Sequence, residues 1–494
     1  MTLFRTLVRA AQALACMAAV ALGSTAKAQL PIPASTAFDV TGFMQEATLD
    51  AGGPNAGGTL RVNGHLITVP ANTIVLYPAN ALSWKELFTK APAPYTGVAT
   101  GMAMADQPPP LTTYEVSVIG NRVGNTYIAA LINFAQSSLS GGSGFINCIN
   151  YNLGELRVGG TIGDCTSGSR VRLNDPLGRF GRATTSPDVR FTVDPDNPTI
   201  IAGTGYPMCL PRVAPTGVND NISDPLCPQG NRPRNLAGDP VAQFTTVNRT
   251  NVAFPIPAVG TFPDSTKQAP LQVGDYVSYS GTLVADCAAC PGGGTTVGPY
   301  PGSANTWVAA HTITNNVAIF TFQGSNPAYI SIDVSIIGTG GLTVLGAGEA
   351  TVRTRFEGVM TDVDPSGVAQ RRVHIYGIDV DSQGNTSDRD FGTIFPDPGP
   401  PNGAQAGRWR FRPPCLTFGS VPTRADRDCV MNQAGTFLPP PREIRAVIEG
   451  LQTQNPGLPG AQTSANGIYY GQYHAPIGEY ASPRRALRRL SWAI

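Results

Sequence analysis

The stretch Glu349–Asp364, EATVRTRFEGVMTDVD, sets the fold class by its period. Glu349, Thr351, Arg353, Arg355 and Glu357 fall on one side, and Ala350, Val352, Thr354 and Phe356 on the other. A period of two, polar against mostly apolar, marks a half-buried β-strand. The same spacing rejects a catalytic pairing of the two glutamates. A strand rises about 3.3 Å per residue, which puts Glu349 roughly 26 Å from Glu357. Paired glycosidase carboxylates lie about 5 to 9.5 Å apart. The charges are therefore expected to form weak cross-strand ion pairs on a wet face.

Runs of the same kind fill the chain. TLRVNGHLITV, TYEVSVIG, NTYIAALINF, DYVSYSGTLV, AYISIDVSIIG and RRVHIYGIDV are β-branched or aromatic and bounded by Gly, Asn or Pro. The 56 glycines and 44 prolines among 494 residues break helices and favour turns. Two segments have helical period, SWKELF (Ser83 to Phe88) and PREIRAVIEG (Pro441 to Gly450). The second has Pro at its start and Gly at its stop, as helix ends prefer. The expected fold class is all-β: two or three OB-like barrels or β-sandwich units with long disulfide-pinned loops, because the length exceeds one core.

The chain opens with Arg5 and Arg9, an apolar run from Ala10 to Gly23, and Ala26-Lys27-Ala28. This is the pattern of a secretory signal peptide over residues 1–28. The apolar run is too short for a transmembrane segment, and no later run is long enough. The expected location is secreted, periplasmic or at the cell surface. Besides Cys16, eight cysteines form four sequence-local couples: Cys148 and Cys165, Cys209 and Cys227, Cys287 and Cys290, Cys415 and Cys429. An even number in an exported chain points to disulfides, although the pairing stays open, and Cys287-Ala-Ala-Cys290 also fits a redox or metal motif. Lys and Arg number 34 against 33 Asp and Glu. Arg5, Arg9 and Lys27 lie in the leader, and four arginines lie in the tail SPRRALRRLSWAI, so the body between is acidic. That balance excludes nucleic acid as a long-range partner. The basic tail, with Leu487, Leu490 and Trp492, is a candidate to touch a membrane or an acidic partner.

Composition divides the rest into 29–110, an N-terminal β segment; 111–185, a β domain; 186–268, a Pro-, Asn- and Cys-rich loop region; 269–400, a second β domain; 401–481, a C-terminal extension; and 482–494, the tail. GGTL (Gly57 to Leu60), GGTI (Gly159 to Ile162) and SGTL (Ser280 to Leu283) form a weak repeat beside strands. GELRVGGTI, and VGDYVSYSGTL followed by WVAAHTI, share a layout that resembles the five-stranded OB-type barrel of many exported bacterial proteins. The resemblance implies glycines at sharp barrel bends and one barrel at each place. RVRLNDPLGRFGR and TVDPDNPTIIAGTGYPMCLPR, within Arg170 to Arg212, resemble uncharacterised secreted proteins of bacteria and fungi; this likeness implies no activity.

One loop carries metal chemistry in its spacing. In DVDSQGNTSDRD, Asp379, Asp381, Gln383 and Asp390 stand at positions 1, 3, 5 and 12 of a calcium loop, with Gly384 at its turn. Gln383 and the short Asp390 depart from the pattern, and a polar hairpin loop is the plain alternative. Calcium is the one candidate cofactor. His65, His311, His374 and His474 are isolated in sequence, and His374 is nearest the acidic loop. G-x-S-x-G, H-E-x-x-H and Walker motifs are missing, so no catalytic residue is named. Arg408-Trp409-Arg410-Phe411-Arg412 alternates cation and ring, which makes Trp409 a candidate for glycan contact. Tyr469, Tyr470 and Tyr473, beside His474, are candidates for stacking on sugar rings. The expected function is that of an exported, disulfide-bridged binding or structural protein contacting glycan, polymer or surface protein. The alternative is a secreted polysaccharide-acting hydrolase with acids assembled from separate strands.

Overall fold

Two stretches of nearly the same wording, GTLRVNG (Gly58 to Gly64) and GELRVGG (Gly154 to Gly160), build the same element twice. In each the leucine and valine are buried in a barrel core and the arginine between them faces outward. In each, the turn that follows needs backbone that glycine tolerates: φ is 48° at Asn63, 78° at Gly64 and 83° at Gly159. The computed structural model describes residues 35–79, 81–110, 113–134, 140–233, 262–287, 294–297, 306–336, 355–364, 366, 368–380, 385–399, 402–411, 443–451 and 467–476. The leader 1–28, the tail 482–494, Cys290, Cys415, Cys429, Asp381 and Gln383 lie outside the described residues.

The first barrel uses β1 (Ser35–Leu49), β2 (Gly58–Val62), β3 (His65–Val69), β6 (Glu115–Val123) and β7 (Thr126–Phe134). Antiparallel pairs join β2 to β1 and β3, and β6 to β1 and β7, and a parallel β3–β7 pair closes the ring. Between β3 and β6 lie β4 (Ile74–Leu76), β5 (Ala81–Ser83) and α1 (Trp84–Thr89). The SWKELF expectation holds: Ser83 caps α1, its hydroxyl accepting from the Glu86 N–H while the Glu86 carboxylate accepts from the Ser83 N–H at 2.8 Å. Trp84, Leu87 and Phe88 then bury one face of α1 against the barrel core.

The second barrel repeats this plan with β8 (Gly142–Asn150), β9 (Glu155–Val158), β10 (Ser169–Leu173), β14 (Tyr276–Cys287) and β16 (Thr306–Asn315). Here the parallel closing pair is β10–β16. β11 (Ile200–Ala202) extends it beside β16, β12 (Met208–Cys209) pairs with β13 (Ala269–Pro270), and β15 (Gly294–Val297) folds back on β14. Both are closed five-stranded barrels of OB type. The fifth strand of each carries one extra residue where it meets the fourth, Ala130 of β7 opposite Ile119/Gly120 of β6 and His311 of β16 opposite Ser280/Gly281 of β14. A Cβ would stand 2.0 Å from the Ile128 carbonyl oxygen at Gly120 and 2.2 Å from that of Ala309 at Gly281. Glycine is thus needed where the barrel bends.

This arrangement corrects the expected spans. GELRVGGTI and VGDYVSYSGTL belong to one barrel, not two, and the segment 29–110 carries three strands of the first. Two disulfides of the second barrel are formed as expected from the couples: Cys148 to Cys165 and Cys209 to Cys227, with Cα atoms 5.1 and 5.9 Å apart.

A third unit stacks two sheets on one core. β17 (Ile330–Ile336), β18 (Arg355–Met360) and β21 (Arg408–Phe411) form one; β20 (Thr386–Ile394), β19 (Val373–Val380), β22 (Glu443–Ile448) and β23 (Gln472–Pro476) form the other. Ile330, Phe356, Trp409 and Phe411 meet Ile375, Ile444, Ala446 and Ile448 between them. Glu443–Ile448 of PREIRAVIEG form a strand rather than the expected helix. Ile444, Ala446 and Ile448 also satisfy a period of two, and pairing to β19 and β23 supplies partners on both edges. The wet face expected for the opening stretch is corrected as well. Glu357 is only 4% exposed, and Arg355, Arg408 and Arg410 reach it at 2.9, 2.6 and 3.3 Å.

Candidate functional site

The calcium loop is a hairpin whose end carboxylates already have side-chain partners. Asp379 faces Ser387 across the β19–β20 ladder and Asp390 faces Tyr376, so about 10 Å of strand separates the two rungs. Arg389 donates to both Asp379 oxygens, at 2.9 and 2.8 Å. His374 Nε2 lies 2.7 Å from Asp390 Oδ1, and His374 Nδ1 accepts from the Tyr376 hydroxyl at 2.9 Å. Asp379 and Asp390 are therefore not brought together. The Asp390–His374–Tyr376 chain does not make Tyr376 a nucleophile either. Burial and the Asp390 charge push its phenol above the ordinary value, so the proton is held more tightly.

The expected sugar-stacking rings are mostly structural. Trp409 is 1% exposed and packs against Gly358, where a Cβ would approach the indole to 2.5 Å. In β21 the rings do face one way and the arginines the other; the inward side is core and the outward side grips Glu357. Tyr470 is buried in the second-barrel core, and Tyr473 packs on the third core with its phenol pushed up by burial. Tyr469 alone of the three stays half-exposed without joining a core. The reason is common to these rings: large apolar area is stabilised most where water is excluded.

A ring platform that sequence reasoning passed over lies at the rim of the first barrel. Tyr127, first of the inward-leaning residues of β7, has Phe38 edge-on at 5.1 Å and the His65 ring at 5.1 Å. The Arg122 guanidinium stands 5.5 Å from its centroid and donates to Asn125 Oδ1 at 3.0 Å. The Gly124–Asn125 turn places Arg122 directly opposite Tyr127, and the parallel β3–β7 pair brings the head of β3 alongside. His65 and Arg122 are exposed; Phe38 and Tyr127 are half-buried. The signal was present in NRVGNTY: a two-residue turn makes its flanking Arg and Tyr cross-strand partners. His65 opens the third strand, and Arg122 stands near the end of the fourth, beside the turn to the fifth.

A second site joins all three units. In DPDNP, Asp194 Oδ1 accepts from the Asp196 N–H at 2.7 Å and its Oδ2 from Asn197 Nδ2 at 2.8 Å. Asn197 bonds β23, and His474 Nε2 of that strand lies 3.2 Å from Glu443 Oε2 of β22, an ionic contact without hydrogen-bond alignment. Burial pushes the Asp194 carboxyl up to about 7 and raises Asp196. Burial works against the His474 imidazolium, but Glu443 and the two aspartates outweigh it and raise its pKa. Glu443 also lines a cleft of about 340 Å³ with Pro54, Ile74, Leu82 and Glu86 of the first barrel.

Among the described residues no group of three or more His, Cys, Asp or Glu is placed to hold a metal ion, and no helix is long and apolar enough to cross a membrane. No protein-family model, curated protein or solved structure matches the chain.

Proposed function

We propose that the chain is an exported, disulfide-bridged binding protein of the envelope or extracellular space that contacts a glycan or similar polymer through the rim of its first barrel. The observation that carries this reading is the Phe38–Tyr127–His65–Arg122 platform. Ring faces pack on the C–H faces of sugars, and the Arg122 guanidinium favours an acidic polymer. The platform stands on strands, which hold it with little ordering cost on binding. Export rests on the leader, and the two disulfides agree with an oxidising location. The test is retention of the chain from Gln29 onward on neutral and acidic polysaccharides. Tyr127→Ala and Arg122→Ala are each expected to weaken retention roughly tenfold, about 1.4 kcal/mol. Equal retention of both variants and the parent would reject the reading.

A polysaccharide-acting hydrolase is the second reading, favoured by the carboxylates near the cleft at Glu443. It requires product release from a polysaccharide that Glu443→Gln abolishes while the far-ultraviolet spectrum stays unchanged. Hydrolysis unaffected by Glu443→Gln, or none at all, would discard it.

A further inference from the structure

The outer side of β9 and β10 carries charge that closing a barrel does not need. Arg157 stands directly opposite Arg170 in the ladder, and Glu155 opposite Arg172. Like charges placed face to face cost stability. The first barrel builds the same strand pair without them. Register for register, Arg61 takes the place of Arg157, but Leu66, Thr59 and Thr68 take those of Arg170, Glu155 and Arg172. That pair closes its barrel with a half-exposed ion pair, Arg61 to Glu46 at 2.8 Å. Closure therefore does not explain the arginines of the second barrel.

Their arrangement is a preformed cradle. Glu155 is its floor, with a side chain 2% exposed, while those of Arg157, Arg170 and Arg172 keep 20%, 17% and 18%. Arg157 and Arg172 each turn Nε to the carboxylate, at 3.1 and 2.8 Å. Arg170 grips it with Nε and Nη2, at 3.0 and 2.9 Å. The Trp307 ring, 4.9 Å from the Arg172 guanidinium, fixes that group from the side. Arg157 Nη1 has the Gly168 carbonyl at 3.4 Å. Its Nη2 and both Nη groups of Arg172 have no hydrogen-bond partner among the described residues. Even with Arg170 set aside, two guanidiniums share one carboxylate, so the face keeps a positive balance on a body that is acidic overall.

We propose that this cradle is a binding site for a tetrahedral oxyanion, a sulfate or phosphate group, held by the Nη groups of Arg157 and Arg172. Arginine forks match such groups, and charge-assisted bonds of this kind are the strong ones. Donors that arrive from two strands suit a group with several outward oxygens better than a flat carboxylate. Glu155 orients the guanidiniums before the anion arrives, which lowers the ordering cost of binding. The site lies on the second barrel and does not depend on the ring platform of the first.

Calorimetric titration of the chain from Gln29 onward with sodium sulfate, and separately with sodium phosphate, tests the site, with ionic strength held constant by chloride. Saturable binding of about one ion per chain is expected. Arg172→Gln and Arg157→Gln are each expected to weaken it roughly tenfold. Arg61→Gln, at the matching place in the first barrel, is expected to leave it unchanged. Dextran sulfate separates the sources. Binding tighter than that of the free ion, and weakened in Arg172→Gln, marks a group borne on a polymer; binding no tighter marks the free ion. No saturable binding of either ion by the parent chain, or parent-like binding in both arginine variants, would overturn the site. Should Arg172→Gln fail to fold, Arg157→Gln, whose side chain is the most exposed of the three, decides the matter on its own.

Discussion

Glu357 and Glu155 are buried carboxylates that survive burial by the same device. Glu155 meets Arg157, Arg170 and Arg172 at 3.1, 2.9 and 2.8 Å, with the Trp307 ring 4.9 Å from the Arg172 guanidinium. Burial alone would raise its pKa, but hydrogen bonds from Arg170 and Arg172 outweigh that and hold it below the ordinary value. Its stabilisation is therefore present above the unfolded glutamate pKa, about 4.3, and is lost as pH falls below it. Removing either acid strands several arginines, so Glu155→Ala and Glu357→Ala are each expected to cost about 3–5 kcal/mol in urea denaturation. A loss below about 1 kcal/mol, the range of a surface pair, would restore the wet face read from the alternation. Trp409→Ala belongs to the same scale: about 3–5 kcal/mol of stability, with polymer retention per folded molecule unchanged.

The β19–β20 hairpin sets two of the expected calcium ligands, Asp379 and Asp390, on separate rungs. Its acids recur at calcium spacing, yet a ladder carries them to separate rungs, where Arg389 and His374 meet them. The melting temperature is expected to be the same in calcium and in chelator. A rise with calcium that Asp379→Ala abolishes would reinstate the metal loop. The β22 strand carries a related lesson. Alternating Ile, Ala and Ile also fall on one side of a helix, so PREIRAVIEG is ambiguous until its neighbours are known. The disulfides act on elements as well, tying the β9–β10 connection to β8 and closing the loop after β12. Mapping of the unreduced digest is expected to recover Cys148 linked to Cys165 and Cys209 linked to Cys227.

At the scale of the whole molecule, one buried ion pair ties the second barrel's long connection to the first. Arg190, 1% exposed, pairs with Asp188 at 2.7 Å and donates to the carbonyls of Leu87 and Thr100 at 2.8 and 2.7 Å. Next to it Phe191 enters the first-barrel core against Tyr77 and Tyr114. Arg190→Ala leaves Asp188 buried without its partner and is expected to cost about 3–5 kcal/mol. It is also expected to split one thermal transition into two, as the barrels uncouple. A single transition at the parent temperature would mean that other contacts hold the barrels together.

The all-β class, the capped helix at Ser83 and the two local disulfide couples were legible in the letters, because period, capping and cysteine spacing act over a few residues. The glycine bend at Gly281 was implied by the barrel resemblance; the one at Gly120 was not marked. Which strands close with which was not legible. The parallel pairs β3–β7 and β10–β16 join residues far apart in sequence, and no local pattern encodes such partners. Burial of Trp409, Tyr470 and Glu357, and the meeting of Phe38, His65, Arg122 and Tyr127, follow from those pairings. Short-range geometry determined what each segment becomes; the closure of sheets and the exclusion of water between units decided which side chains stay at the surface to act.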